Sequence, residues 1–484
     1  MPFFTRENRG LYTAIAAAIL LCSLYCKTAY AQHDTLTVSP SPLQTVKGWG
    51  CNSFFAAATV PAEVTRAFYG ELGMTVDRIY LDHNDGLNDL GAVNPAAMDD
   101  LCKKITSLHS FGLRYILCSW SPAVGMKYPA IVASADLRED REGAFTSYFV
   151  NICKFIWQKH LPLPIAITLQ NEPTNTATYD SMHFVNQNNF DYTQYYRVVL
   201  ELRRKLDQSG FRSVKLLGPE DGSYDTGKNW GCSLAFLGGN GFPVFRTNPA
   251  LRNAIWGCSS HSYNWGGTVN YLEQWAASCN LWHKDKWMTE YSYIENGEKN
   301  TPLIDIAVMS ARRLCSDMEC VQNNYWFWWD GYAPGIARNE VLMSDDGRYT
   351  KYPLFYVLQK IFTNVPPGSV CHPVTSNDPD FNTSSRIWMN AAAFETHNGM
   401  TVVLVNPHHA TTLNMNLAGV TGNFATVYQT TGDKNMQVVA GTGVVNGVVP
   451  NIQLPPWSVT VIVTSPKAVV VSTSSMAKEL PAND

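Results

Sequence analysis

The sequence predicts an α/β chain, a (β/α)8 barrel with a C-terminal β-sandwich side domain that also takes in an N-terminal strand. Three observations predict it. Between residues 47 and 362, eight short apolar β-like runs alternate with longer helix-like stretches, and eight parallel strands are the number that closes such a barrel. Beyond Lys360 the texture changes to short strand-like runs separated by Gly, Asn and Thr. With 484 residues, 45% apolar and 16% charged, the chain has material for a barrel of about 250 residues and an appendage.

Residues 1–31 read as a secretory signal. Arg6 and Arg9 precede the apolar run Leu11 to Leu24, and Thr28-Ala-Tyr-Ala31 resembles a cleavage site. The apolar run is too short for a membrane span. Cys26 follows Leu24 and Tyr25 instead of small residues, which argues against lipid attachment. The expectation is a protein secreted to an extracellular or periplasmic space, with no membrane span after signal removal. Residues 32–46 then contain the β-prone Leu36–Ser39, expected to pair with the side domain.

The barrel is expected over 47–362. Its strands are read as Lys47–Cys51, Val76–Leu81, Leu113–Ser119, Ile165–Leu169, Val214–Gly218, Ala254–Cys258, Lys286–Met288 and Asn323–Phe327. Between them, Asn94–Phe111 keeps helical spacing at Met98, Leu101, Ile105 and Leu108. Thr193–Gln208 does the same and stops before Gly210. Pro366-Pro-Gly-Ser369 punctuates the start of a β domain over 363–466, with runs at Ala391–Phe394, Thr401–Asn406, Thr426–Gln429, Val438–Ala440 and Val459–Val463. The tail, 467–484, is given no function.

The net charge of −4, without a long basic run, excludes nucleic acid as a partner. The 14 Trp and 23 Tyr suit stacking on sugar faces, although large cores use them as freely. Of twelve cysteines, two lie in the signal, and the rest show no paired C-x-x-C spacing that would frame zinc. Export permits disulfides, but spacing assigns none.

Chemistry concentrates in two peptides, Ile167-Thr-Leu-Gln-Asn-Glu-Pro173 and Trp287-Met-Thr-Glu-Tyr291. Each ends a β-prone run in a glutamate, as a parallel barrel does when it carries carboxylates to its C-terminal rim. Two facing carboxyls are the equipment for cleaving a glycosidic bond. Glu172 is the candidate acid, its carboxyl expected to be raised by apolar enclosure, with Pro173 keeping the rim extended and Asn171 beside it to bond a substrate hydroxyl. Glu290 is the candidate nucleophile, to be held ionised by Arg78 and Tyr263. His261 is expected either to line the sugar site or to be a satisfied core histidine. In Tyr325-Trp-Phe-Trp-Trp-Asp330, alternation puts Trp326 and Trp328 on one side; we expect these, with Trp49 and Trp120 at other strand ends, to wall the sugar site. Asp82-His-Asn-Asp-Gly86 lacks the distal glutamate and register of a calcium loop and reads as a substrate-side turn. Asn382-Thr-Ser384 is an acceptor sequon only in a glycosylating host. No metal or cofactor is expected, and HExxH, P-loop and G-x-S-x-G motifs are absent from the sequence.

Taken in order, Lys47-Gly-Trp-Gly50, Ser119-Trp-Ser-Pro122 with Lys127, Gln170-Asn-Glu-Pro173, His261-Ser-Tyr263, Trp287-Met-Thr-Glu290 and Leu454-Pro-Pro-Trp-Ser-Val459 resemble glycoside hydrolase family 30. The resemblance covers nearly the whole mature chain. It implies a retaining β-glycosidase acting on a polysaccharide or oligosaccharide as a monomer, with Glu172 as acid/base, Glu290 as nucleophile and Asn171 beside the reacting sugar. It implies no cofactor. The forms of the motifs look most like the xylan-cleaving members, with β-1,6-galactan, β-1,6-glucan and exo-acting activities as alternatives. Members that require a glucuronate branch place arginine after the paired tryptophans. Here Asp330-Gly331 stands there and the nearest arginine is Arg338, so an aspartate is expected to repel a uronate. Trp120 and Lys127 are expected to shape the leaving-group side. A carbohydrate-binding barrel without turnover is the alternative of another class; it would be expected to lack one of the two glutamates. A lyase or aldolase would need an interior Schiff-base lysine or metal ligands.

Overall fold

The computed structural model describes residues 34–54, 60–175, 179–184, 191–224, 236–237, 244–263, 269–293, 300–334, 341–378, 381 and 388–468. The signal, Cys232, Arg338, the sequon at Asn382 and nearly all of the tail lie outside them. Eight strands close a barrel in chain order: Gly48–Cys51, Val76–Leu81, Arg114–Ser119, Ala166–Thr168, Lys215–Asp221, Ile255–His261, Asp285–Glu290 and Tyr325–Trp328. All neighbours pair in parallel, including the closing pair of the eighth with the first. Their numbers from one to eight are used below as barrel strands.

Helices cross between the strands on the outside. Pro95–Ser110 begins at Asn94, whose side chain accepts from the Ala96 backbone N–H, with proline in the first turn, where its missing donor costs nothing. Thr193–Gln208 buries Tyr195, Val198, Val199, Leu202 and Leu206 on one face, as its spacing predicts.

The side domain stacks two sheets. Six strands run in the order Val370–His372, Ala391–Thr396, Gly399–Asn406, Ser458–Ser465, Phe424–Thr431 and Lys434–Gly443. The other sheet orders Val374–Ser376, Asp34–Val38, Leu413–Ala418 and Val448–Leu454. Asp34–Val38 pairs antiparallel with Val374–Ser376 and parallel with Leu413–Ala418, so the N-terminal strand enters the sandwich. Three strands not anticipated, Val374–Ser376, Leu413–Ala418 and Val448–Leu454, complete this sheet. Polar contacts tie the sandwich to the barrel: Arg312 Nε donates to Asn390 Oδ1 at 2.8 Å, and Trp457 Nε1 to Asp305 Oδ1 at 2.6 Å.

The lumen is packed, not hollow. Val76, Ile116, Ala166, Leu217, Trp287, Tyr325 and Phe327 fill its lower half, with Trp287 stacked on Tyr325. The neighbouring first strand makes room for them with glycines. A Cβ on Gly48 would meet the Tyr325 ring at 2.8 Å, and one on Gly50 the Phe327 ring at 2.1 Å. Since glycines 48 and 50 face inward, alternation sends Trp49 outward. It stacks on Phe362 and donates from Nε1 to the Val365 carbonyl at 2.6 Å.

Gly50→Ala should therefore destabilise the protein by about 1–3 kcal/mol, because the added methyl has no void to enter and the Phe327 ring has no room to yield. Denaturant melts of the two proteins check this; an unchanged midpoint would show that the lumen is loosely filled.

Candidate active site

Above the apolar floor, the strand ends bring polar side chains to one place. The second strand carries Arg78, the fifth Glu220, the sixth His261 and the seventh Glu290. The fourth is followed immediately by Asn171 and Glu172. Backbone bonds continue past the regular strands and fix these ends: Asn171 N–H to Ser119 O at 2.7 Å, Glu172 N–H to Glu220 O at 3.0 Å, Ser262 N–H to Glu290 O at 3.1 Å. Arg78, Glu220 and His261 have no exposure, and Glu172 and Glu290 only 6%.

Arg78 is the hub. It donates from Nη1 to Glu290 Oε2 at 2.8 Å, from Nε to Glu220 Oε1 at 2.9 Å, and from Nη2 to Asn171 Oδ1 at 2.7 Å. Tyr263 donates its hydroxyl to the other Glu290 oxygen, Oε1, at 3.1 Å. Burial pushes the Glu290 carboxyl up, and its neighbours Glu172 and Glu220 add to this, while His261 and Arg78 pull it back; it stays above the usual carboxylate range. Glu172 is arranged differently. His261 Nδ1 donates to its Oε1 at 2.9 Å, and Asn175 Nδ2 at 2.6 Å and the Tyr179 hydroxyl both donate to Oε2. Burial alone would raise this carboxyl, but the three donors overcome it and hold it below its ordinary value. Both directions reverse the sequence expectation: Glu172 is set by its donors more than by apolar enclosure. For His261, burial favours the neutral ring, but the two glutamates outweigh it and keep the imidazole charged above its usual range.

The backbone at Glu172 is left-handed, φ 46°, not extended as Pro173 suggested. Its carbonyl accepts from Asn175 N–H, closing a tight turn that aims the carboxyl across the rim. Glu220 is likewise left-handed, φ 66°. Side-chain residues other than glycine rarely hold this conformation without surrounding constraint.

The aromatic wall is only partly the one expected. Trp120 lies at the rim, stacked on Trp329 at 5.1 Å, with Tyr179 and Tyr80 against it. Arg78 sits over the Trp329 ring at 5.9 Å. Trp326 and Trp328, expected in the sugar site, face the helices instead. Both are fully buried; Trp326 donates to Asp317 Oδ2 at 2.9 Å, and Trp328 packs edge-on against Tyr291. Alternation had grouped these residues correctly, but the lumen face belongs to Tyr325, Phe327 and Trp329. Trp49 is excluded for the same reason, being packed against the last helix.

Lys127 does not shape a leaving-group side. It is buried, donating to Ser121 Oγ and the carbonyls of Val132 and Ser181, and burial lowers its ammonium to about 8. Asp330 has no exposure and lies beside Cys51, so it does not present its charge to a substrate, and the expected repulsion of a uronate has no geometric basis. Nine cysteines are free and buried among the described residues.

Among the described residues, two groups have metal-ligand spacing. Glu172, His261 and Glu290 offer atoms within 4.8 Å of one another, but Arg78 and Tyr263 already bond both Glu290 oxygens, and Tyr179, Asn175 and His261 bond those of Glu172. Asp82, His83 and Asp180 have similar spacing at the half-exposed turn, where Asp85 Oδ2 accepts from Asp82 N–H and Asp180 bonds His83.

Barrel, side domain and the docked N-terminal strand together make a fold like that of glycoside hydrolase family 30 structures. A family 30 subfamily 8 xylanase, Xyn30A of Clostridium acetobutylicum, superposes with a TM-score of 0.69 at 18% identity, over 88% of this chain and 98% of that one. A family 30 endoxylanase of Clostridium papyrosolvens C71 gives 0.66 at 19%, over 89% and 100%. The endo-β1,6-glucanase BT3312 gives 0.61 at 16%, over 88% and 93%. At these identities the likeness is one of fold. No family model matches the sequence, and no curated protein matches it.

Arg78→Leu should cost about 3–5 kcal/mol at pH 7, since it strands two buried carboxylates without their cation. Without Arg78 the Glu290 carboxyl, already raised by burial, would titrate further above its unfolded value near 4.3, so the folded variant binds more protons and regains stability as pH falls toward that value. Urea melts from pH 7 to 4.5 check the sign; a deficit that grows on acidification would contradict it.

Proposed function

We propose that the protein is a retaining β-glycosidase that hydrolyses a β-linked polysaccharide by double displacement. One observation carries this reading: a carboxylate oxygen of Glu172 and one of Glu290 lie within 4.8 Å of each other. Retaining enzymes need about 5–5.5 Å, whereas inverting enzymes leave about 6.5–9.5 Å for a water.

Glu290 is the nucleophile. Its carboxylate attacks the anomeric carbon as the bond to the leaving oxygen breaks and Glu172 gives that oxygen a proton. Glu172 then takes a proton from water, which attacks the same carbon and releases Glu290. Arg78 and Tyr263 keep Glu290 in position and stabilise its ionised form, and Asn171, fixed by Arg78, is placed to bond a sugar hydroxyl. His261 Nδ1 is aimed at Glu172 Oε1, 2.9 Å away, and can hand it a proton. A glycosidic oxygen arriving at Glu172 displaces Tyr179 and Asn175, and the enclosed carboxyl then accepts the proton that catalysis requires.

Xylan is the leading substrate, cleaved internally and without a strict glucuronate requirement, because no arginine follows Trp329 directly. β-1,6-Galactan, β-1,6-glucan and exo-action are the alternatives, and the likeness to BT3312 keeps the first pair in view. A non-catalytic binding barrel is disfavoured by the retention of both glutamates in contact geometry. We further propose that residues 1–31 direct export and that the enzyme works as a monomer.

Products from glucuronoxylan, arabinoxylan, β-1,6-galactan and β-1,6-glucan, resolved by mass spectrometry, test the substrate. Xylo-oligosaccharides from both xylans support xylan cleavage; products from a 1,6-linked polymer alone replace that substrate. Glu290→Gln should abolish turnover of every substrate. Glu172→Ala should lose about 10²–10⁴ in rate on polysaccharide yet keep slow turnover of glycosides with activated leaving groups, where protonation matters least. Full activity of Glu290→Gln would sink the assignment.

A further inference from the structure

Glu220 is a third buried carboxylate in this site, and the double displacement leaves it without a step. It ends the fifth strand, has no exposure, and touches the reaction centre through two cations. Oε1 accepts from Arg78 Nε at 2.9 Å and lies 4.0 Å from His261 Nε2. Among the described residues, neither Glu220 Oε2 nor His261 Nε2 has a hydrogen-bond partner.

The charges make Glu220 more than a passive neighbour. Glu172, Glu220 and Glu290 bring three negative charges into a water-poor pocket, against Arg78 and, when protonated, His261. Fully ionised carboxylates with arginine alone would leave two uncompensated charges, which a low-dielectric interior does not tolerate. The remaining groups around Glu220 are the Cys118 thiol, the Tyr195 hydroxyl and the adjacent Asp221; none of these supplies a cation. The balance falls to His261, which also faces Tyr263. The backbone repeats the link: Glu220, itself left-handed at φ 66°, accepts the N–H of the equally strained Glu172 at 3.0 Å. Strain at two adjoining strand ends, joined by one hydrogen bond, marks a place where position is held at a cost.

We propose that Glu220 is a positioning residue of the reaction: its Oε1 sets the Arg78 fork against Glu290 and Asn171, and its charge keeps His261 in the imidazolium form that supplies Glu172. This inference rests on the glycosidase reading above. Glu220 touches no reacting atom and acts through Arg78, His261 and the Glu172 backbone.

Glu220→Gln keeps the shape and an acceptor for Arg78 but removes the charge. Loss of that charge lowers the proton affinity of His261 and of Glu290 together. The acid limb of the kcat/KM profile, which reports ionised Glu290, and the basic limb, which reports the proton held for Glu172, should both move to lower pH, by about half a unit or more, with kcat/KM down about tenfold. A residue that only packs would lower activity without moving either limb.

The same question can be asked without turnover. In nitrogen-15 NMR of the histidine-labelled protein, with His261 assigned by its absence in His261→Asn, the imidazolium should persist to higher pH in the parent than in Glu220→Gln. Superimposable titrations and unmoved limbs overturn the proposal. Should Glu220→Gln fail to fold, the parent alone decides: an imidazolium surviving above pH 7 supports the proposal, and a His261 already neutral at pH 6 overturns it. A protein that cleaves none of the four polysaccharides, yet shows the His261 difference, fails the glycosidase reading and not the Glu220–His261 coupling.

Discussion

Arg78 stands in the barrel lumen with no exposure and three strand ends at its fingertips, donating to Glu220, Asn171 and Glu290 between 2.7 and 2.9 Å. A guanidinium presents its donors in a rigid plane, so three acceptors satisfied at once are three acceptors fixed relative to one another. The second, fourth, fifth and seventh strands are thereby referenced to one group. A lysine would supply the charge without the geometry. The apolar floor beneath, closed by Tyr325 and Phe327 over glycines 48 and 50, keeps water from screening these contacts from below, which makes each stronger and each loss more costly.

That enclosure also explains why the glutamates behave as a set. Burial acts to raise both Glu172 and Glu290, and what separates them is the donors each receives. Glu172 collects three neutral or cationic donors from His261, Tyr179 and Asn175, while Glu290 shares its cations with two other carboxylates. His261 thus lies between two carboxylates, 2.9 Å from Glu172 Oε1 and 3.6 Å from Glu290 Oε1. On the proposed glycosidase reading, sugar binding changes that arrangement before cleavage, and the two loop donors, Tyr179 and Asn175, are the ones a leaving-group oxygen would replace.

Much of this was legible in the chain. The eight strands and the placement of Asn171, Glu172, His261, Tyr263 and Glu290 at strand ends follow from apolar runs that stop at polar residues, whereas Arg78, expected at a strand end, lies within Val76–Leu81. Glu220 carries the same signal, an acid at a strand end after Gly218-Pro219, but the apolar run stops at Gly218 and leaves the glutamate outside it, whereas the strand continues to Asp221. The tryptophans show what periodicity leaves open. Alternation groups Trp326 with Trp328 and says nothing of which group faces inward; the answer lies on the neighbouring strand, where Gly48 and Gly50 leave the space that Tyr325 and Phe327 fill. Asn175 and Tyr179 carry no local signal, because a loop of no fixed period brings them back to Glu172. In the side domain, Leu413-Asn-Met-Asn-Leu417 alternates apolar and polar residues and could have been read as the strand it forms.

The central claim is that Glu290 and then water attack the same anomeric carbon, while Glu172, with an oxygen within 4.8 Å of one of Glu290, moves the proton at each step, so that configuration is kept after two displacements. Proton NMR of the anomeric signals during the first minutes of polysaccharide hydrolysis tests it directly. The account predicts that the β-anomer of the new reducing end appears first and the α-anomer only later, by mutarotation. First appearance of the α-anomer would mean a single displacement by water, and would contradict the role assigned to Glu290.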